Sequence, residues 1–491
     1  GGHSAVSRKS EKLFDGITEI DADLIEETLD QTPQRRARPW MRAVALAACL
    51  GLIIGAGYGI LSSFRMGTAA PGDGGGAGHD EGSTFMHYAG PVFPLTTAEN
   101  ANGITAERDI TLDFAAYGAE NYADSITVTD TYTLTNTTDA DITLTAAYPT
   151  AGTLLENPEV ELSADGEVVA ADFVPGAPLE AMFAESWADY AADLGGAYLA
   201  DALSGAPELD ETVTVYELKD ITGGDADATA PTLCMSFELE GFSSSRLLTW
   251  GFNGGGLDRE HGIVQVSFFI PEEGWWGYGM TRYVIVRGED IGGYTIQGYA
   301  DGGCYPGEEI AGVSASVRRY ETTLGEILDV VEHEYYARQS DTGLTLPSAV
   351  TEELFAGELR RAVALGLDRT GIGSLNEICS DVRSFNRMFY RTFSLTIPAG
   401  ESVTVTASFT QGASYDFYCS GSGNIGVHGY DLMTQLGSTL SFSRQSAEIV
   451  NTDGVEIVRQ NFGLGPDGGA TRVELDLTQE RYYLEVRRGG S

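Results

Sequence analysis

Basic residues are scarce in this sequence. Against 72 Asp and Glu stand only 29 Lys and Arg, a formal charge of −43 over 491 residues. The deficit is uneven: residues 1–43 carry 7 basic and 8 acidic side chains, and the remainder carries 22 and 64. So acidic a surface repels phosphate backbones and anionic headgroups, which excludes nucleic acid as a partner of the larger part. Hydrophobic residues still make up 42% and aromatics 10%, ample material for packed cores. The acidity therefore reads as a solubilising shell and not as disorder.

Signatures of chemistry are missing too. Of five cysteines, Cys49 lies in an apolar run, and Cys234, Cys304, Cys379 and Cys419 are too widely spaced for a zinc site. Those four allow two bridges in three pairings. His333-Glu334 on a helical pattern lacks the second histidine one turn later, where Ala337 stands. Cys419-Ser420-Gly421-Ser422-Gly423 does not have the order of a hydrolase elbow, and a Cys419–His428 pair rests only on proximity. The carboxylates of DITGGDAD, residues 220–227, miss the calcium-loop spacing. No catalytic residue, metal or cofactor is expected, and the protein reads as a non-enzyme.

What is present begins with one long apolar run. Residues 44–61, VALAACLGLIIGAGYGIL, hold no side chain charged at neutral pH, and the uncharged stretch extends over 43–64. At about 1.5 Å per residue it is long enough to cross a bilayer core. Arg35, Arg36, Arg38 and Arg42 precede it and only Arg65 follows closely, which places the N-terminus in the cytoplasm and the large C-terminal region outside the cell membrane. Leu46-Ala47-Ala48-Cys49 has the look of a lipoprotein box, but too few apolar residues precede its cysteine. Thr68-Ala69-Ala70 would suit signal cleavage, but the segment before the run is far longer than a signal peptide's charged region. A retained single-pass anchor is the expectation. Gly51, Gly55 and Gly59 form one small-residue stripe along it, which predicts a homodimer through the membrane helix.

Before the run, residues 10–30 (SEKLFDGITEIDADLIEETLD) place Leu13, Phe14, Ile17, Ile20, Leu24 and Ile25 at helical spacing. So short an amphipathic helix cannot bury its own stripe, which makes it a candidate surface for a cytoplasmic regulator or a sister copy. Residues 1–42 are thus a cytoplasmic segment, 43–64 the span, and 65–84 a Gly-rich linker.

Strand patterns dominate thereafter. In residues 125–149, Ile126, Val128, Tyr132 and Leu134 alternate with threonines, and Ile142, Leu144, Ala146 and Tyr148 continue the alternation after a turn, which predicts a half-buried antiparallel hairpin. A second such pattern surrounds Pro398-Ala399-Gly400. Helical patterns cover 179–203, 324–338, 349–367 and 376–389. The expected fold is mainly β: extracytoplasmic antiparallel β-sandwich modules with helical insertions, plus one N-terminal transmembrane helix. The expected divisions are a sandwich over 85–320 with a helical insertion at about 177–204, a helical block over 321–391 and a C-terminal β domain over 392–491.

Trp275, Trp276 and Tyr278 follow Pro271-Glu272-Glu273-Gly274 at a loop or strand entrance. Aromatics so placed stack on a sugar ring or anchor a protein partner. With the arginine-flanked anchor, they point to a membrane-tethered, ligand- or partner-binding module at the outer face of the cell envelope.

Several ordered pieces carry a resemblance: residues 10–30, the anchor with its flanks, YAGPVFPLT (88–96), TVYELKDI, LLTWGFNGG, YTIQGYADGGC and GYDLMTQLGS. Together they resemble uncharacterised single-pass envelope proteins of clostridial-type bacteria, a group with no assigned activity, so no site residue carries over. The layout also looks like that of transmembrane anti-sigma regulators, which implies the alternative function of a signalling protein with a cytoplasmic partner-binding helix. The inner segment is shorter than a usual sigma-binding domain and lacks that group's zinc-associated His and Cys motif.

Overall fold

The structure is a computed structural model that describes residues 89–119, 124–178, 196–224, 230–238, 240, 245–273, 277–300, 302–338, 346–366, 371–416, 424–464 and 470–489. All lie in the second of two compact units, residues 69–491. The amphipathic segment with Leu13, Phe14, Ile17, Ile20, Leu24 and Ile25, and the span with Gly51, Gly55 and Gly59, fall outside the described residues. No described helix is long and apolar enough to cross a membrane.

The fold is mainly β, as the period-two patterns predict. Along Ile126–Asn136 burial alternates strictly, with Ile126, Val128, Tyr132 and Leu134 inward and the threonines half-exposed. This strand sits in a seven-stranded sheet, in the order Arg472–Glu474, Ser441–Val450, Ile104–Asp113, Ile126–Asn136, Ser402–Gln411, Val160–Ala164 and Glu167–Val168. Across one continuous core it faces two four-stranded sheets. The first is Thr96–Thr97, Ile142–Gly152, Arg387–Ile397 and Asp172–Pro178; the second is Tyr415–Asp416, His428–Met433, Arg481–Arg488 and Val455–Gln460.

Neither alternating pair forms a hairpin, contrary to expectation. Ile126–Asn136 pairs with Ser402–Gln411, while Ile142–Gly152 pairs with Arg387–Ile397 in the facing sheet. Each turn therefore carries the chain across the sandwich. Two half-apolar strands bury their stripes as well face to face as side by side, so alternation alone does not choose between the two.

Between Asp172–Pro178 and Arg387–Ile397 the chain builds a second module. One five-stranded sheet runs Val313–Thr323, Thr212–Gly223, Arg282–Gly288, Ser245–Trp250 and Ile372–Ser374. The other runs Gly254–Asp258, Ile263–Phe269, Thr232–Glu238, Tyr294–Tyr299 and Glu309–Ile310, and a core of Leu218, Met235, Phe237, Val266 and Phe268 lies between them.

Four helices accompany these sheets among the described residues: α1 (Gly196–Leu203), α2 (Leu324–Ala337), α3 (Glu352–Ala364) and α4 (Leu375–Ser384). The last three pack on the first five-stranded sheet through Leu328, Val331, Phe355, Leu359 and Ile378. Thr323, Thr351 and Ser374 cap them, each side chain accepting a first-turn backbone N–H. The third helix of this block ends at Ser384, short of the expected 389, and Arg387 opens a strand. That strand begins with four consecutive buried residues, a run whose periodicity does not separate strand from helix.

Candidate binding surface

The strand Ile263–Phe269 ends with Phe269 half in solvent, 51% exposed, and Pro271 follows outside the strand. It returns through Gly277, Tyr278 and Gly279 to the strand Arg282–Gly288. Tyr278 is 52% exposed, held between two glycines of positive φ, 85° and 68°, in a backbone that side chains with a Cβ rarely adopt. Trp275 and Trp276 lie outside the described residues. Of the three aromatics read from the sequence, Tyr278 is thus the one that the structure places, and it places it outward.

Beneath this loop lies Arg282, which sequence reasoning missed. It is only 4% exposed, although it opens a strand where a charged residue would ordinarily face water. Its Nε donates to the Gly251 carbonyl at 3.1 Å, Nη1 to Met280 at 2.9 Å and Nη2 to Gly277 at 3.2 Å. The guanidinium also stacks on the Phe268 ring, 3.9 Å from its centroid. No described carboxylate forms an ion pair with it. Burial pulls its pKa down to about 10, while the charges of Glu334 and Arg338 act on it in opposite directions. Trp250 donates its indole N–H to Glu334 Oε2 at 3.1 Å. An arginine at the head of a strand gives no sequence sign that it will turn inward.

The facing five-stranded sheet carries a disulfide. Cys234, in register with Ser267, is bonded to Cys304, 70 residues away. Cys379 is a buried free thiol whose pKa burial raises, and Cys419 lies outside the described residues. His333 is exposed at 73%, and its Nδ1 meets Glu352 Oε1 at 2.6 Å between α2 and α3. His428 is buried against the Tyr117 hydroxyl, 2.8 Å from Nδ1. Among the described residues no three His, Cys, Asp or Glu are gathered as for a metal ion.

No family model and no curated protein matches this chain. Among solved structures it is similar to the crystal structure of a proposed nutrient binding protein from Legionella pneumophila. The identity is 7%, over 82% of this chain and 71% of that one, with a TM-score of 0.30. So low a score carries no argument. The loop presents one half-exposed aromatic, Tyr278, on a backbone pinned by Arg282.

Proposed function

We propose that the chain is a single-pass, membrane-anchored, non-enzymatic protein whose extracytoplasmic β module binds a ligand or partner at the bacterial cell envelope. The Cys234–Cys304 bridge carries the compartment, because such bonds persist where the surroundings are oxidising. It agrees with the arginine-flanked apolar run at 43–64, which puts the acidic bulk of the chain outside. The binding surface is the aromatic loop. Exposed Tyr278 and Phe269 flank Trp275 and Trp276 in sequence, and a large aromatic kept in water at a turn suits stacking on a sugar ring or insertion into a partner. The glycine stripe at Gly51, Gly55 and Gly59 would pair two such chains. The signalling alternative rests on the layout of inner helix, single span and outer module, and needs residues 10–30 to hold a cytoplasmic regulator.

Retention on purified peptidoglycan tests the surface. Trp275→Ala with Trp276→Ala, and separately Tyr278→Ala, should each lower it by about tenfold or more, a loss typical of aromatic anchors, while the module still folds. Equal retention by all forms removes the loop from the proposal. Protease added to intact cells should release the acidic C-terminal bulk; failure to cut it on accessible cells would remove the topology.

A further inference from the structure

A contact loop binds well only if it is held in its bound shape beforehand, since ordering it on contact costs affinity. Three carbonyls from separate points of the chain converge on one guanidinium here: Gly251 after the strand Ser245–Trp250, Gly277 just before Tyr278, and Met280 just after it. The grip thus falls on both sides of Tyr278. The backbone is shaped around it, because Gly251 and Gly277 have φ of 78° and 85°. A Cβ at Gly251 would lie 2.7 Å from Arg282 Cγ. The three bonds lie in the guanidinium plane, and the Phe268 ring covers one face of it, so the group is held across its plane as well.

We propose that Arg282 is the positioning residue of this loop: by drawing the Gly277 and Met280 carbonyls inward, it turns Tyr278 outward as a preformed stacking surface for a glycan. The inference rests on the binding reading above and deepens it. Arginine is the one side chain whose planar fork reaches three carbonyls in fixed directions at once. Lysine keeps the charge and loses the fork.

The test uses the full chain as wild type, Arg282→Met and Arg282→Lys. Chymotryptic cleavage after Tyr278 reads the loop without any ligand. It should be faster by about tenfold in Arg282→Met and by less in Arg282→Lys, with unfolding still cooperative. Retention on peptidoglycan should fall in the same order. If Tyr278 stays equally protected in all three proteins, the proposal is wrong. It is also wrong if both variants lose cooperative unfolding, since Arg282 would then hold the core and not the loop. Faster cleavage in Arg282→Met, combined with unchanged retention in Trp275→Ala/Trp276→Ala, would sink the glycan reading and leave the positioning role standing.

Discussion

Arg108 grips Asp130 across two neighbouring strands of the seven-stranded sheet, Nε to Oδ1 at 2.8 Å and Nη2 to Oδ2 at 2.7 Å, both side chains fully buried. Around this fork the Tyr132 and Tyr148 hydroxyls donate to Asp130 at 2.6 and 3.1 Å. Arg108 also reaches the carbonyls of Met433 and Phe93. Tyr132 and Tyr148 have their pKa values pushed well above the ordinary value, by burial first; the Asp130 charge adds to the rise in both and the Arg108 charge opposes it, so both remain donors throughout the physiological range. The network joins all three sheets of the first sandwich, because its members come from each.

Removing one partner should therefore be severe. Arg108→Met strands a buried carboxylate and should cost about 3–5 kcal/mol in urea unfolding. Arg108→Met with Asp130→Leu should recover only part of the loss. The pair itself is replaceable by apolar groups, but the Tyr148 hydroxyl and the Phe93 and Met433 carbonyls would lose their partners. A double variant as stable as wild type would mean that the surrounding groups contribute little.

This pair also marks where sequence reading stopped. Ile104, Ala106, Ile110 and Leu112 face inward along Ile104–Asp113, but Arg108 occupies the middle of that phase and hides the alternation. Asp130 does the same between Val128 and Tyr132, where the neighbouring threonines were regular enough to reveal the strand regardless. Class and strand alternation were legible because they depend on local period. Pairing was not: Ile104–Asp113 lies parallel to Ser441–Val450, more than 300 residues away, and no local pattern encodes that. The exposure of Tyr278 agrees with its place in an aromatic cluster, whereas the support beneath it was not legible, since Arg282 looks like any surface arginine until its three carbonyls are placed.

The disulfide should matter to the second module. Cys234 and Cys304 enclose 70 residues of sequence separation, so opening the bridge restores considerable freedom to the unfolded chain. Cys234→Ala with Cys304→Ala should cost about 2–4 kcal/mol, as would reduction with dithiothreitol. An unchanged denaturation midpoint under reducing conditions would show that the bond is not formed or not felt.

The helical layer should loosen as pH rises. Glu332 on α2 is 4% exposed, and its Oε1 has no hydrogen-bond partner among the described residues. Burial first, then the charge of Glu352, lifts its pKa to about 7. His333 and Arg360 oppose that lift, while Asp329 adds to it. Cys379 on α4 faces the same region. The folded carboxyl keeps its proton to about pH 7, whereas the unfolded one loses it near 4.5. The folded state binds more protons between those values, so stability falls as pH rises through the window and stays lower above it. His333, raised by its bond to Glu352, acts in the same direction: its contribution is complete below the unfolded value and fades as pH climbs through the folded one. Glu332→Gln should raise the thermal midpoint at pH 8 by about 2–4 °C and change it little at pH 4.5. Equal gains at both pH values would assign the effect to packing and not to charge.

The corner at Asn136 should decide whether the chain crosses between sheets. Its Nδ2 donates to Ala140 O at 2.8 Å and to Ile397 O at 2.9 Å, while its Oδ1 accepts from the Thr138 backbone N–H at 2.9 Å. One fully buried amide thus ties the turn to the end of Arg387–Ile397, the strand that pairs with Ile142–Gly152. Asn136→Ala takes away the donor to the Ile397 carbonyl and the acceptor of the Thr138 N–H, while the Ala140 carbonyl keeps the Thr138 hydroxyl at 3.0 Å, so it should cost about 1–3 kcal/mol. Asn136→Asp keeps the acceptor for Thr138 but sets a carboxylate oxygen against two carbonyls, so it should be worse than alanine at pH 7 and approach it as the pH is lowered toward 4. Chemical denaturation of both variants at the two pH values checks the order. If aspartate proves no worse than alanine, the donor half of the amide is not what closes the corner.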